Sequence, residues 1–431
     1  MKSLNKYLIY TIIFLITTLE LFSCKKIGNN FISFTDDEEI TTITSDNEIE
    51  FFDAIEQLNQ NGGTIYIDTP VINLKINSII TISGELPGGI IGIRQSNGEY
   101  PRINFQNKYE FLSGINILGS NKFIEYIIVE SVPDNGFTIY GDNNIFDHVI
   151  SRYNYGSGFA IYGDFNTFNY CYAYRNCGSH MLLINVDGFY IFGEVNNIFN
   201  YCFAWDNANS GFNYVRLFNS SELSYLHSGS WNNGNVNVFT GKYDYDNGRP
   251  LDKNLRTVQD IMESDPGFVS NYYNKKYNID NSYLDGFTVK EWIAKTSILL
   301  EGNGFTFGNK NSSQSIDVKR NALYCASFDH KSGGFIDNFN HRYNAYITNC
   351  VSFNNGVNYK LPYTFSKWLN NWSWGSKNND HLNTGITTKK PSNANTSQRS
   401  FYSVRDQIVK AVSANMFPDG VNFDNVINNL K

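Results

Sequence analysis

The pair Gly-Phe returns along this chain at Gly136-Phe137, Gly158-Phe159, Gly188-Phe189, Gly211-Phe212, Gly304-Phe305 and Gly334-Phe335. Successive intervals are 22, 30, 23, 93 and 30 residues. A second module lies between the pairs: Asn-x-Phe, then an alternating stretch with a cysteine, then a turn residue. Asn166-Thr167-Phe168 leads to Cys171-Tyr172-Ala173-Tyr174-Arg175-Asn176, and Asn197-Ile198-Phe199 leads to Cys202-Phe203-Ala204-Trp205-Asp206-Asn207. Asn144-Ile145-Phe146 begins an earlier copy; Cys325 to His330 and Cys350 to Asn355 are later ones. Each copy reads as two or three short alternating strands parted by turn residues. A period of about 20–30 residues of this kind marks the coil of a parallel β-helix. One coil cannot bury its inward face alone. Stacked coils can, with equivalent residues about 4.8 Å apart. Repeated Phe, Cys and Ile are expected inside, and Asn176, Asn207 and Asn355 in amide ladders at the turns. Parallel crossovers are right-handed as a rule. The expected fold is therefore all-β: a single-stranded, right-handed parallel β-helix.

The flanks of the repeat read differently. Lys2 and Lys6 precede an apolar run from Tyr7 to Leu21, about the length of a signal-peptide core. The run ends at Leu21-Phe22-Ser23-Cys24, which resembles the lipobox of bacterial lipoproteins, although Phe22 departs from the usual residue. Residues 1–23 are expected to be a signal peptide, and Cys24 the lipidated first residue of an envelope or cell-surface lipoprotein. Residues 24–47 read as a polar tether. Ile49, Phe52, Ile55 and Leu58 have helical spacing. They predict a short helix that caps the open edge of the first coil. The β-helix itself spans residues 48–395, with a charged insertion at about 242–295. Gly286-Phe287 inside it has no assigned register. A second helical pattern around Ile408 and Val412 predicts a C-terminal capping segment over 396–431.

Charge and cysteine content narrow the function. The net charge is −7, which disfavours a nucleic-acid partner. The same charge makes a polyanionic ligand awkward without a metal or a local basic patch. Apart from Cys24 there are five cysteines, an odd number, and four fall at one position of the repeat. They read as small buried side chains in a stack rather than as disulfides. The histidines at 148, 180, 227, 341 and 381 show no metal-ligand spacing.

Tyr155-Gly-Ser-Gly-Phe-Ala-Ile161, Asn185-Val-Asp-Gly-Phe189, Cys202 to Asn207, Ser210-Gly-Phe-Asn213 and Gly302-Asn-Gly-Phe305 follow in order. This series resembles the family 9 polysaccharide lyases, the Pel9A-type pectate lyases, over roughly residues 50–430. The resemblance implies β-elimination on a polyuronate. A lysine removes the C5 proton, and calcium bound by carboxylates steadies the developing enolate through the substrate carboxylate. Of the family's four calcium carboxylates, Asp187 is retained. The other three positions read Asn209, Ser210 and Asn213, and the position of the catalytic lysine reads Thr306. One carboxylate among amides and a hydroxyl holds calcium only weakly. A threonine hydroxyl is no base near neutral pH without its own activator.

Other basic residues are candidates to replace that lysine. They are Lys310, Lys319 and Lys331, with Arg216 as a substrate contact; the plainer reading of each is a solvated turn residue. Trp368, Trp372 and Trp374 either stack on sugar rings or cover the last coil. Two functions remain open: a carbohydrate-active enzyme with altered catalytic residues, or a non-catalytic surface lipoprotein that binds a glycan or a host protein. A polysaccharide partner, a monomeric state and membrane contact only through the lipid are expected.

Overall fold

Short parallel strands run round each coil and repeat one layer further along. The computed structural model describes residues 40–75, 79–106, 113–154, 156–176, 186–192, 196–216, 222–234, 302–307, 319–337, 344–361, 367–382, 402–403 and 405–410. Their strands form three sheets of eleven, ten and ten members. Pairing is parallel, and the neighbours in a sheet come from successive coils. The winding is right-handed. The expected signal peptide, Cys24, most of the expected tether, Cys177, Lys310 and the 242–295 insertion lie outside the described residues.

Strand alternation decides what is buried. Phe137, Phe159, Phe189, Phe212, Phe305 and Phe335 pair in register across six coils. Their rings stack at 4.7–5.1 Å between centroids. A second column, Phe146–Phe168–Phe199, meets the first edge to face. Cys171, Cys202, Cys325 and Cys350 are free thiols and fully buried. Each donates to a carbonyl of the coil before, as Cys202 does to Phe168 at 3.3 Å. Burial, the neighbouring thiol and its hydrogen bond push Cys171 and Cys325 well above the usual thiol range. They are packing groups, as expected.

The predicted amide ladder closes the coils. Asn154, Asn176, Asn207 and Asn233 are each linked from Nδ2 to the next Oδ1, at 2.9, 3.0 and 3.1 Å. The same oxygens also accept the backbone N–H of the preceding rung. This ladder explains the glycines of the repeat. A Cβ on Gly158, Gly188 or Gly211 would come within about 3 Å of the amide of Asn176, Asn207 or Asn233. Glycine is there to leave room for the rung.

One rung is a histidine. His330 Nδ1 accepts the Asn233 N–H at 3.3 Å, so Nε2 carries the proton and donates to Ser230 O at 3.0 Å. The His330 N–H then donates to Asn355 Oδ1. The ring thus reproduces both contacts of an asparagine amide, provided that it stays neutral.

The first coil is sealed by side chains. Strand β1 (Ile40–Ile43) pairs with β2 (Gly63–Ile67), and helix α1 (Glu48–Asn61) lies between them in the chain. The fold therefore begins inside the segment expected to be tether. Asn47 caps α1 by accepting the N–H groups of Ile49 and Glu50. The helix buries Phe51, Ala54, Ile55 and Leu58, whereas Ile49 is 65% exposed. The apolar stripe is the 51/54/55/58 set, one turn-phase away from the expected 49/52/55/58. The edge strands β3 (Val71–Asn73) and β4 (Ile80–Ile82) find partners around this helix. Asp46 accepts the Asn73 N–H at 2.7 Å, Glu48 that of Lys75 at 2.6 Å, and Asn59 that of Ser83 at 2.8 Å. The Asn59 amide donates to Thr81 O. Open-edge groups are thus satisfied instead of being offered to another chain. At the far end, residues 402–403 and 405–410 are helical. Ile408 is fully buried in an aromatic cluster outside the coils, and Tyr402 meets Trp374 edge-on. This segment covers the last coils from the side.

The 93-residue interval adds no rung to the described sheets. Phe212 pairs directly with Phe305, Leu223 with Arg320 and Trp231 with Phe328. The described chain leaves at Gly234 and returns at Gly302, and these two residues touch. A Cβ on Gly234 would stand 2.5 Å from Gly302 Cα. Both have left-handed φ, +76° and +62°, which glycine alone adopts freely.

His330 gives the fold a pH dependence. Burial pushes its pKa from 6.5 down to about 3. Between those values the unfolded chain holds a proton that the folded chain does not, so stability rises with pH across this window and is flat above it. The slope is up to about 1.4 kcal/mol per pH unit. Urea midpoints measured from pH 7 down to pH 4 are expected to fall more steeply for the wild type than for His330→Asn. Parallel curves would show that the ring is not the titrating group.

Candidate functional site

In every coil one residue precedes the glycine of the Gly-Phe pair. Asn135, Ser157, Asp187, Ser210 and Asn303 make up this column. Backbone bonds of 2.8–3.0 Å join them from coil to coil, for example Gly158 N–H to Asp187 O and Gly188 N–H to Ser210 O. The adjacent sheet turns Asn213 and Thr306 outward, because Phe212 and Phe305 before them point inward. All five positions implied by the lyase resemblance are therefore brought together.

They are bonded to one another. Asp187 Oδ1 accepts the Ser210 N–H at 2.7 Å and the Asn209 amide at 2.8 Å. Its Oδ2 accepts the Asn213 amide at 2.9 Å. A carboxylate only accepts, so both asparagines must turn their nitrogens to it. Asn213 Oδ1 then faces away and accepts the Thr306 hydroxyl at 3.0 Å, while Thr306 Oγ1 accepts the Tyr214 N–H at 2.8 Å. The Asp187 N–H donates to Ser157 Oγ. Asp187 and Thr306 are both 0% exposed.

This set does not fit a calcium ion. Calcium takes about six to eight oxygen ligands. Here three N–H groups occupy the one carboxylate, and the amides show it nitrogen, not oxygen. Among the described residues no group of three or more His, Cys, Asp or Glu side chains is placed to hold a metal. Thr306 has its hydroxyl engaged as donor and as acceptor, and lies buried. Among the described residues of this network its partners are the Tyr214 N–H and Asn213 Oδ1, and neither is a base.

Of the other basic candidates, Lys319, Arg216 and Lys331 hold three separate backbone positions. Lys319 opens a strand of another sheet, paired with Glu222 and Asn344. Arg216 ends the strand that carries Asn213, opposite Phe192 at a bulge. Lys331 stands exposed in a turn, its Cβ over Gly302 and Gly234, and burial of its stem pushes its ammonium below the usual lysine range. Trp368 packs into the interior against Tyr359. Trp372 and Trp374 pack on the outer cluster that also holds Ile408. These contacts match the covering role for all three tryptophans.

No motif of the resemblance points to Tyr140 or Tyr162, yet both stand on the outward face that carries Asn213. Their signal in the sequence is a repeated Ile-Tyr-Gly-Asp, at 139–142 and 161–164.

Three stacked parallel sheets with this column at their turns define a protein of the pectin lyase-like β-helix class. Residues 31–249 match the model of the Pel9A-like, right handed beta helix region, and the chain belongs to that family. Among solved structures it is similar to pectate lyase Pel9A, with 18% identity and a TM-score of 0.50 over 80% of this chain and 73% of that one. A rhamnogalacturonan lyase is similar at 16% identity and a TM-score of 0.48, over 78% of this chain and 80% of that one. No curated protein matches the chain in sequence. At these identities the structural likeness speaks to the fold.

Asp187 is thus a structural carboxylate in this geometry. Asp187→Ala would leave three buried N–H donors without an acceptor, and is expected to lower stability by about 3 kcal/mol. Chemical unfolding measures this. A loss below about 1 kcal/mol would mean that the network is not formed in solution.

Proposed function

We propose that this protein is an exported polysaccharide-binding member of its family in which calcium-assisted β-elimination has been lost at the family position. One observation carries the reading: the Asp187 carboxylate is filled by Asn209, Ser210 and Asn213, and the base position is a buried, doubly bonded Thr306. Elimination needs a base that reaches a C–H proton and a cation that meets the substrate carboxylate. The described residues at this place offer neither. The scaffold, with its long outward sheet face, is retained, which supports a polysaccharide ligand.

Polygalacturonate and rhamnogalacturonan incubated with the full-length mature protein, with and without calcium, test this. No ultraviolet-absorbing unsaturated product is expected, and Thr306→Lys alone is expected to restore none. Calcium-dependent product that Asp187→Ala abolishes would sink the proposal.

Export rests on the sequence of residues 1–24. Attachment through a lipid on Cys24 rests on the same segment; among the described residues, which begin at Ile40, no helix is long and apolar enough to cross a membrane. Metabolic labelling with a fatty acid is expected for the wild type and absent in Cys24→Ser. Equal labelling of both would refute the anchor.

A further inference from the structure

The sheet that carries Asn213 and Thr306 also carries a row of outward aromatic rings. The strands Phe137–Ile139, Phe159–Ile161 and Phe189–Phe192 pair with Ile139, Ile161 and Ile191 in line. Those isoleucines are in the core, so Tyr140 and Tyr162, one residue further on, face out. Their rings stack 4.9 Å apart at 13°. Tyr162 goes on to meet Phe192 at 5.7 Å and Tyr190 at 6.3 Å. Tyr190 pairs directly with Asn213 in the next coil. The row therefore runs unbroken into the family site.

Three features set this row apart from the packed columns of the molecule. Tyr140 is 53% exposed, and Leu118, which precedes it in the row, is 49% exposed. Exposed apolar surface of this kind on a soluble face marks a binding site more often than a packing accident. Among the described residues the hydroxyls of Tyr140 and Tyr162 make no hydrogen bond, and their contact is ring on ring. Burial, the Tyr140 phenol and the Asp134 carboxylate push Tyr162 up to about 12, which keeps it a donor near neutral pH.

The surrounding charge selects the ligand. Segments 133–146 and 156–169 contain Asp134, Asp142 and Asp164 and no lysine or arginine. Asp142 and Asp164 lie in the turns directly after the two tyrosines, where Asp142 Oδ1 accepts the Asp164 N–H at 2.7 Å. A polyuronate carries a carboxylate on every residue and would meet like charge beside Tyr140 and Tyr162, while the arginine on this row, Arg216, stands at its other end opposite Phe192. An uncharged sugar lays its C–H face on an aromatic ring without that penalty.

We propose that Tyr140, Tyr162, Tyr190 and Phe192 form a binding platform for an uncharged polysaccharide. This rests on the polysaccharide-binding reading above and names its ligand class. The platform discriminates by the aspartates at its Tyr140–Tyr162 end, and holds by ring stacking and two phenol hydroxyls.

Affinity gel electrophoresis of the mature protein tests it, with galactan, arabinan, xyloglucan, glucomannan and polygalacturonate as separate probes. Retardation by at least one neutral polymer and none by polygalacturonate is expected. Tyr140→Ala and Tyr162→Ala should each weaken that retardation about tenfold, the loss of one stacked ring. Both side chains are partly in water, and circular dichroism checks that the variants fold. Retardation by polygalacturonate alone, or by a neutral polymer with both variants unchanged, would overturn the platform and leave polysaccharide binding standing. No retardation by any probe would remove both.

Discussion

From Asn154 to Asn355 the coils of this protein are closed by a column of side chains, each taking the backbone N–H of the coil before. The other regularities follow from that contact. It requires an asparagine, or a neutral histidine, at one turn of each of these rungs; one coil before Asn154 the position is Val132. It requires empty space opposite, which is why a glycine precedes each phenylalanine of the Phe137–Phe335 column. With the turn fixed, the phenylalanines fall into register and stack at the coil spacing, and the thiols fill the narrow corner beside them. Hydrogen bonds between buried amides are strong only when every group has a partner. An infinite ladder would satisfy this, but a real one has ends. At the first coil, Asp46, Glu48 and Asn59 stand in for the missing rung.

Much of this was legible in the residues. Gly-Phe pairs, the cysteine position and Asn176, Asn207 and Asn355 identified the coil because the same packing problem recurs in each. What was not legible lacks that repetition. The cap helix offers two overlapping apolar stripes; which one is buried depends on the coil beneath, so Phe51 and not Ile49 turns inward. Strand β1 pairs at an edge, where a single neighbour imposes little pattern, and it passed for tether. His330 sits in a column of asparagines and gives no sign in sequence that its two nitrogens can imitate an amide.

The candidate site was legible in identity and not in behaviour. The five positions Asp187, Asn209, Ser210, Asn213 and Thr306 could be named in order. Their mutual bonding could not, because it depends on which way each amide turns. Replacing carboxylate by carboxamide changes shape little, yet it converts mutual repulsion around a cation into mutual attraction without one. A group of acids needs an ion to hold it together. One acid among amides holds itself together and has no oxygen left to offer. On the proposed reading, chemistry is withdrawn from the turn while its packing persists, and recognition falls to the neighbouring rings.

The contact between Gly234 and Gly302 has a consequence for how this molecule can change. From Trp205 to Phe212, and again from Phe328 to Phe335, seven positions separate the end of one strand from the start of the next. If Gly234 were joined directly to Gly302, Trp231 and Phe305 would also stand seven positions apart. The intervening 235–301 is therefore, in register terms, a port: whatever occupies it can be lengthened, exchanged or removed without shifting a single rung. The length of the chain and the length of the β-helix are set independently at that point.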